Sequence, residues 1–329
     1  MIPTSEREQI VALIKREVVP AIGCTEPIAV ALCVAKATEI LGSKPERILV
    51  KLSANILKNA MGVGIPGTGM IGLPIAIALG ALVGRSDYQL EVLKDSDEQA
   101  VERGKRFIEE GRIDISLKKD IEEKLYIEVE VVGEGHKAVA IIAGGHTNFV
   151  FESCDGEILL DHRKAADTEQ EEQHVDLTLR KVFDFAMTAP LDEIRFILEA
   201  KRLNKAAAEE SFKHQYGHCI GNTLRQGRAM NIAGNDILTH IMSYTCAACD
   251  ARMAGAKIPV MSNSGSGNQG IAATLPVVVY AEEVGADEEH LIRALTLSHL
   301  TAIYIKQSLG RLSALCGCVV AATGSSSGI

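Results

Sequence analysis

Ser262-Asn263-Ser264-Gly265-Ser266-Gly267-Asn268-Gln269-Gly270 is an uncharged run of hydroxyls, amides and glycines with apolar sequence on both sides. Ile258-Pro-Val-Met261 precedes it, and Ile271 to Glu282 continues as an apolar stretch of helix length. A loop of this kind opens a helix, so its bare N–H groups point at a ligand with the helix dipole behind them. A flexible Gly/Ser linker is rarely sandwiched between such apolar runs.

Beyond residue 172 the helical period dominates. Leu177–Ala186, Leu191–Asn204, Ala206–Gln215, Ile237–Ala254, Ile271–Glu283, Glu288–Lys306 and Leu312–Ala322 all carry it. Toward the N-terminus, residues 5–19 and 27–41 read as helices, with a break from Pro20 to Pro27. Ile48–Ile56 alternates like a strand, Met70–Val83 reads as a buried helix and Asp95–Glu110 as a surface helix. Ile113–Leu117, Leu125–Val132, Lys137–Ile142 and Thr147–Phe151 are short strands divided by turns, and the charged Asp161–Glu172 is a connector. The fold class is therefore α+β. Residues 1–185 form helices on a mainly antiparallel sheet, and residues 186–329 form a nearly all-helical domain.

The net charge of −9 and pI near 5.6 exclude a basic nucleic-acid footprint. Ala60–Gly84 is uncharged for 25 residues, but its seven glycines and two prolines mark a buried loop and helix rather than a membrane span. Eight cysteines without a secretion signal imply reduced thiols in the cytoplasm.

Gly23-Cys24-Thr25-Glu26-Pro27 places a thiol at a helix start, where free amides favour the thiolate; an inert buried cysteine is the alternative. Gly62-Val-Gly64-Ile-Pro-Gly67 matches a dinucleotide fingerprint only as a bare pattern, because the strand–turn–helix context is missing. Pro66-Gly67-Thr68-Gly69 remains a ligand-approaching turn, with Thr68 as a substrate contact. Gly144-Gly145-His146-Thr147-Asn148 resembles a polar pocket floor, with His146 as a proton-handling group and Asn148 as a substrate contact. Cys246 and Cys249 share a helix face, whereas Cys316 and Cys318 on a helix diverge by about 200°. A four-cysteine metal site is therefore disfavoured, and one thiol of the second pair serving a cluster is the better reading.

Seven motifs occur in order: Gly23-Cys-Thr-Glu-Pro27, Asn55-Ile-Leu-Lys-Asn59, Pro66-Gly-Thr-Gly-Met70, Gly144-Gly-His-Thr-Asn148, Asp250-Ala-Arg-Met253, Ser262–Gly270 and Arg311-Leu-Ser-Ala-Leu-Cys316. Together they resemble the L-cysteine desulfidase family and its uncharacterised bacterial relatives, allied to the α chain of iron–sulfur L-serine dehydratases. The resemblance spans the chain. It implies a cytoplasmic lyase with a [4Fe–4S] cluster that converts L-cysteine, or L-serine, to pyruvate, and Cys24 as the acid/base at the substrate α-carbon. Cys316 matches the first cluster ligand. The other two ligand motifs, Ile-Cys-Asp-Gly-Ala and Gly-Cys-Ala-Leu-Lys, do not occur here, so the chain reads as C-terminally truncated relative to the family.

The chemistry also follows from the residues. β-Elimination needs a base near Cα, an electrophile for the leaving group and donors for the carboxylate. Ser262, Asn263, Ser264, Ser266, Asn268 and Gln269 supply such donors. Arg252 either pairs with the carboxylate or braces Asp250; bracing is preferred. The partners expected are a small amino acid and a second copy of the chain, with no nucleic acid and no membrane. Two alternatives remain open. One is a pyridoxal-phosphate lyase using Lys257, since Ser264-Gly-Ser-Gly-Asn268 echoes the loops of such enzymes. The other is a non-catalytic amino-acid-binding domain.

Overall fold

A computed structural model of the chain describes residues 2–121, 123–163, 175–226, 234–309 and 316–329. It divides into two compact units, Met1–Gly23 with Gln173–Ile329, and Cys24–Glu172.

The first unit begins with α1 (Thr4–Glu17) and the two-residue strand β1 (Pro20–Ala21). Glu6 in the first turn of α1 and Lys15 and Arg16 in the last complement its dipole. Its buried stripe, Ile10, Leu13 and Ile14, has helical spacing.

The second unit then runs through α2 (Thr25–Leu41), β2 (Arg47–Leu52), α3 (Ala54–Ala60), α4 (Leu73–Val83) and α5 (Glu98–Glu109). It continues with β3 (Ile113–Leu117), β4 (Tyr126–Gly133), β5 (His136–Ala143), β6 (Phe149–Cys154) and β7 (Glu157–Asp161). The six strands lie in the order β3-β2-β4-β5-β6-β7, and only the β2–β3 pair is parallel. The expected mainly antiparallel sheet is present. Ile127, Val129 and Val131 of β4 face the core that α2 covers, while Glu128 and Glu130 face outward. On that outer side Glu128 accepts hydrogen bonds from Lys118, Lys51 and Tyr126. Burial alone would raise its carboxyl, but these partners outweigh burial and hold it down to about 2. Helices α2 and α4 pack at backbone contact: a Cβ on Gly80 would lie 2.6 Å from the Ala31 carbonyl oxygen.

The chain returns to the first unit with α6 (Leu179–Thr188), α7 (Leu191–Ile194), α8 (Leu198–Ser211), α9 (Ile220–Leu224) and α10 (Ile237–Met253). β8 (Val260–Met261), α11 (Gly267–Val284), α12 (Glu288–Leu309) and α13 (Gly317–Gly328) complete it. Among its described residues the only strands are β1 and β8, so the expected helical character holds. The expected division at 185 differs from the one observed because the stripe of α1 packs with Val182, Phe185 and Ala186 of α6 and Leu291, Ile292 and Leu295 of α12. Each such large side chain contributes roughly 1.5–3 kcal/mol when fully buried. Helix α13 packs on α11 and α12, with Gly324 against the Ser298 carbonyl. No helix among the described residues is long and apolar enough to cross a membrane.

Candidate functional site

The loop between β8 and α11 is built from its backbone. β8 pairs antiparallel with β1, Met261 opposite Pro20. Beyond it, Ser262 N–H and Oγ both donate to the Val19 carbonyl, at 2.9 and 2.7 Å. The Ser264 N–H donates to the Glu17 carbonyl at 2.9 Å. Asn263 and Ser266 exchange two backbone hydrogen bonds of 3.0 Å around a tight turn. Its central residues, Ser264 and Gly265, both have positive φ, 48° and 80°. That conformation strains a serine, and the Ser264 hydroxyl offsets it by donating to Asn263 Oδ1 at 2.9 Å. Ser266 then caps α11, its Oγ accepting from the Gln269 N–H. A Cβ on Gly270 would lie 2.0 Å from the Met261 carbonyl, so only glycine fits there.

Below the loop lies a buried polar network. Asn263 Nδ2 donates to the His299 carbonyl and to His299 Nδ1, both at 3.1 Å. His299 Nδ1 is thus the acceptor and Nε2 carries the proton, which goes to Thr274 Oγ1 at 3.0 Å. Thr274 Oγ1 in turn donates to the Gly270 carbonyl at 2.7 Å. Asn204 clamps the other side, accepting from Met261 N–H at 2.8 Å and donating to Thr274 Oγ1 at 2.9 Å. His299 is fully buried, and burial alone pushes its pKa down to about 4, so the ring is neutral at pH 7.

Asn263 Oδ1 and its backbone carbonyl both accept from Gln269 Nε2, at 2.9 and 3.3 Å. Gln269 is 2% exposed, and its Oε1 has no hydrogen-bond partner among the described residues. Gly317, the first residue of α13, lies beside it: a Cβ there would sit 3.5 Å from that oxygen. The N-termini of α11 and α13 therefore meet at the Gln269 side chain. Arg252 braces the same turn, with Nη1 donating to Asn268 Oδ1 at 3.0 Å and Nη2 to the Gly23 carbonyl at 2.9 Å. Its shaft lies over Gly267, where a Cβ would meet Nε at 2.2 Å. Bracing is the observed role, directed at the loop; Asp250 instead accepts from the Gly221 N–H.

Cys316 is the N-cap of α13 and hydrogen-bonds Cys318. The helix starts between them, so the divergence expected of two helical cysteines does not arise. Burial, followed by the Cys316 thiol, pushes Cys318 up. Burial also raises Cys246, and it pushes Cys249 up to about 12. Among the described residues no three His, Cys, Asp or Glu side chains come together as metal ligands. The described donors do not by themselves fit a [4Fe–4S] cluster, which several thiolates must hold.

The remaining expected residues lie in the sheet-bearing unit. Cys24 is buried at the N-cap of α2 in an extended conformation. The Thr68 hydroxyl donates to the Ile65 carbonyl at 2.8 Å and accepts from Met70 N–H at 3.0 Å, so it closes its own turn. Asn148 Nδ2 donates to the Ala143 carbonyl at 2.9 Å, and partly buried His146 sits in the same turn. The structure thus gathers Ser262, Asn263, Ser264, Ser266 and Gln269 around one turn, with Asn268 held by Arg252 and Cys316 leading into Gly317. Sequence reasoning missed His299, Thr274 and Asn204. The available signal was the uncharged polar series Thr296, Ser298, His299 and Thr301, interleaved with Leu295, Leu297, Leu300 and Ile303 in the middle of a helix.

The loop is thus rich in glycine and serine, stands where the N-termini of α11 and α13 converge, and is stiffened by buried amides. Residues 87–329 match the serine dehydratase alpha chain family, and the chain belongs to it. A UPF0597 protein of Bacteroides fragilis is 72% identical over 325 residues, covering 99% of this chain and 76% of the relative. One of Bacteroides thetaiotaomicron is 70% identical with the same coverage. One of Porphyromonas gingivalis is 51% identical over 99% of this chain and 77% of its own.

Proposed function

We propose that the protein is a lyase that eliminates the β-substituent of a small L-amino acid, with L-cysteine as the first candidate and L-serine as the second. The observation that carries the reading is the meeting of two helix N-termini at a loop of serines and amides, an arrangement that favours a carboxylate. Family membership supports the reaction class. The first-turn N–H groups of Gly267 and Asn268, for which the helix offers no carbonyl, hold the carboxylate at the start of α11. Cys24, as thiolate at the start of α2, takes the Cα proton. The released electron pair forms the Cα–Cβ double bond and expels sulfur from Cβ as hydrosulfide. The resulting 2-aminoacrylate tautomerises and hydrolyses to pyruvate and ammonium. Lys257, the Schiff-base candidate of the alternative reading, is exposed.

The test is anaerobic incubation of the full chain with L-cysteine or L-serine, following pyruvate. The expected result is pyruvate with equimolar hydrosulfide or ammonium, and a raised KM in Ser266→Ala. Absence of both turnover and amino-acid binding would refute the proposal.

A further inference from the structure

We infer that Gln269 receives the ligand's ammonium group on Oε1, and that His299 is the positioning residue that turns this carbonyl toward the ligand; the inference rests on the carboxylate-binding reading of the loop. Hydrogen-bond polarity fixes both amides. The backbone carbonyl of His299 can only accept, so the group of Asn263 facing it is the NH2. Asn263 Oδ1 therefore points the other way, toward Gln269. Two acceptors of Asn263, Oδ1 and the backbone carbonyl, face one end of the Gln269 amide, so that end is also the NH2. Neither amide can flip without placing two acceptors, or two donors, against each other.

What remains is a buried carbonyl oxygen beside Gly317 at the helix N-termini, unpartnered among the described residues. Leaving such an acceptor unmet is costly, and bulk water does not reach it. A zwitterionic amino acid has the matching pattern, with its carboxylate for N–H groups and its ammonium for a lone acceptor. The His299 ring reinforces the polarity set by its backbone carbonyl, because Nδ1 accepts from the same Asn263 NH2 while Nε2–H is committed to Thr274.

L-Alanine and propionate separate the two parts of the claim, because they differ by the ammonium group and neither carries a leaving group. Calorimetric titration of the full chain should show L-alanine binding roughly tenfold or more tighter than propionate, the worth of one charge-assisted hydrogen bond. Gln269→Met should erase that preference while retaining propionate. His299→Asn, which keeps an acceptor near the Nδ1 position, should preserve most of the preference; His299→Leu, which leaves only the backbone carbonyl to hold the Asn263 NH2, should reduce it severalfold, at a similar loss in Tm. Equal binding of both ligands by the wild type would overturn the Gln269 assignment and leave the carboxylate reading standing. An undiminished preference in Gln269→Met would overturn it too, and would assign Oε1 to a trapped water. Binding of neither ligand would refute the carboxylate reading itself. If Gln269→Met fails to fold, the wild-type comparison and the His299 pair still decide.

Discussion

Acidification should unlock the site through His299 before it affects the sheet. Unfolded, this imidazole titrates near 6.5; folded, burial holds it to about 4, with no charged neighbour contributing. Between those values the unfolded chain binds the extra proton, so stability is full above pH 6.5 and falls as pH falls. The difference corresponds to roughly 3 kcal/mol once pH is below both values, of which about 2 kcal/mol is gone by pH 5. A proton on Nδ1 would also face the Asn263 NH2, breaking the contact that orients the loop. Glu128 has a separate window: held to about 2, it contributes above 4.5 and is lost below that. Urea denaturation at half-unit steps from pH 7.5 to 4.5 should therefore show wild type losing about 2 kcal/mol more than His299→Asn by pH 5. Parallel curves for the two proteins would refute the reasoning.

Three further perturbations read other parts of the site. Gly270→Ala forces a Cβ into the Met261 carbonyl and should cost about 3 kcal/mol, more than Gly267→Ala, whose Cβ meets the Arg252 side chain; thermal melts rank the two. Arg252→Lys should lose roughly 2–4 kcal/mol in chemical denaturation, because an ammonium cannot bridge Asn268 and Gly23 together. Cys24→Ala should lower kcat by about 100-fold or more while L-alanine affinity stays within about twofold, since only proton transfer is removed.

The helices and the central strands were legible because burial imposes their periods. Leu73–Val83 and Glu98–Glu109 appear within a few residues of their expected spans. The strand expected over Ile48–Ile56 stops at Leu52, where Ser53 turns its hydroxyl to the Lys124 carbonyl and α3 begins. β7 was missed because its side chains are mostly exposed and show no alternation. Asp155-Gly156 still carried the signature of a hairpin turn, with positive φ at both residues. Two expected helices over Leu191–Asn204 and Ala206–Gln215 proved to be α7 and a single α8, because Lys205 is a good helix former and no Gly or Pro interrupts Leu198–Ser211. The loop was legible from composition alone as a glycine-rich turn that opens a helix. His299 was not, since its partner Asn263 lies 36 residues away and only packing brings them together.

The elimination itself is tested most directly by running the L-cysteine reaction anaerobically in D2O and recording the product by proton NMR. Elimination through 2-aminoacrylate predicts pyruvate with a solvent deuteron on its methyl carbon, released with one hydrosulfide per molecule. L-Cysteine recovered unchanged, or pyruvate whose methyl group carries no deuterium, would contradict the account.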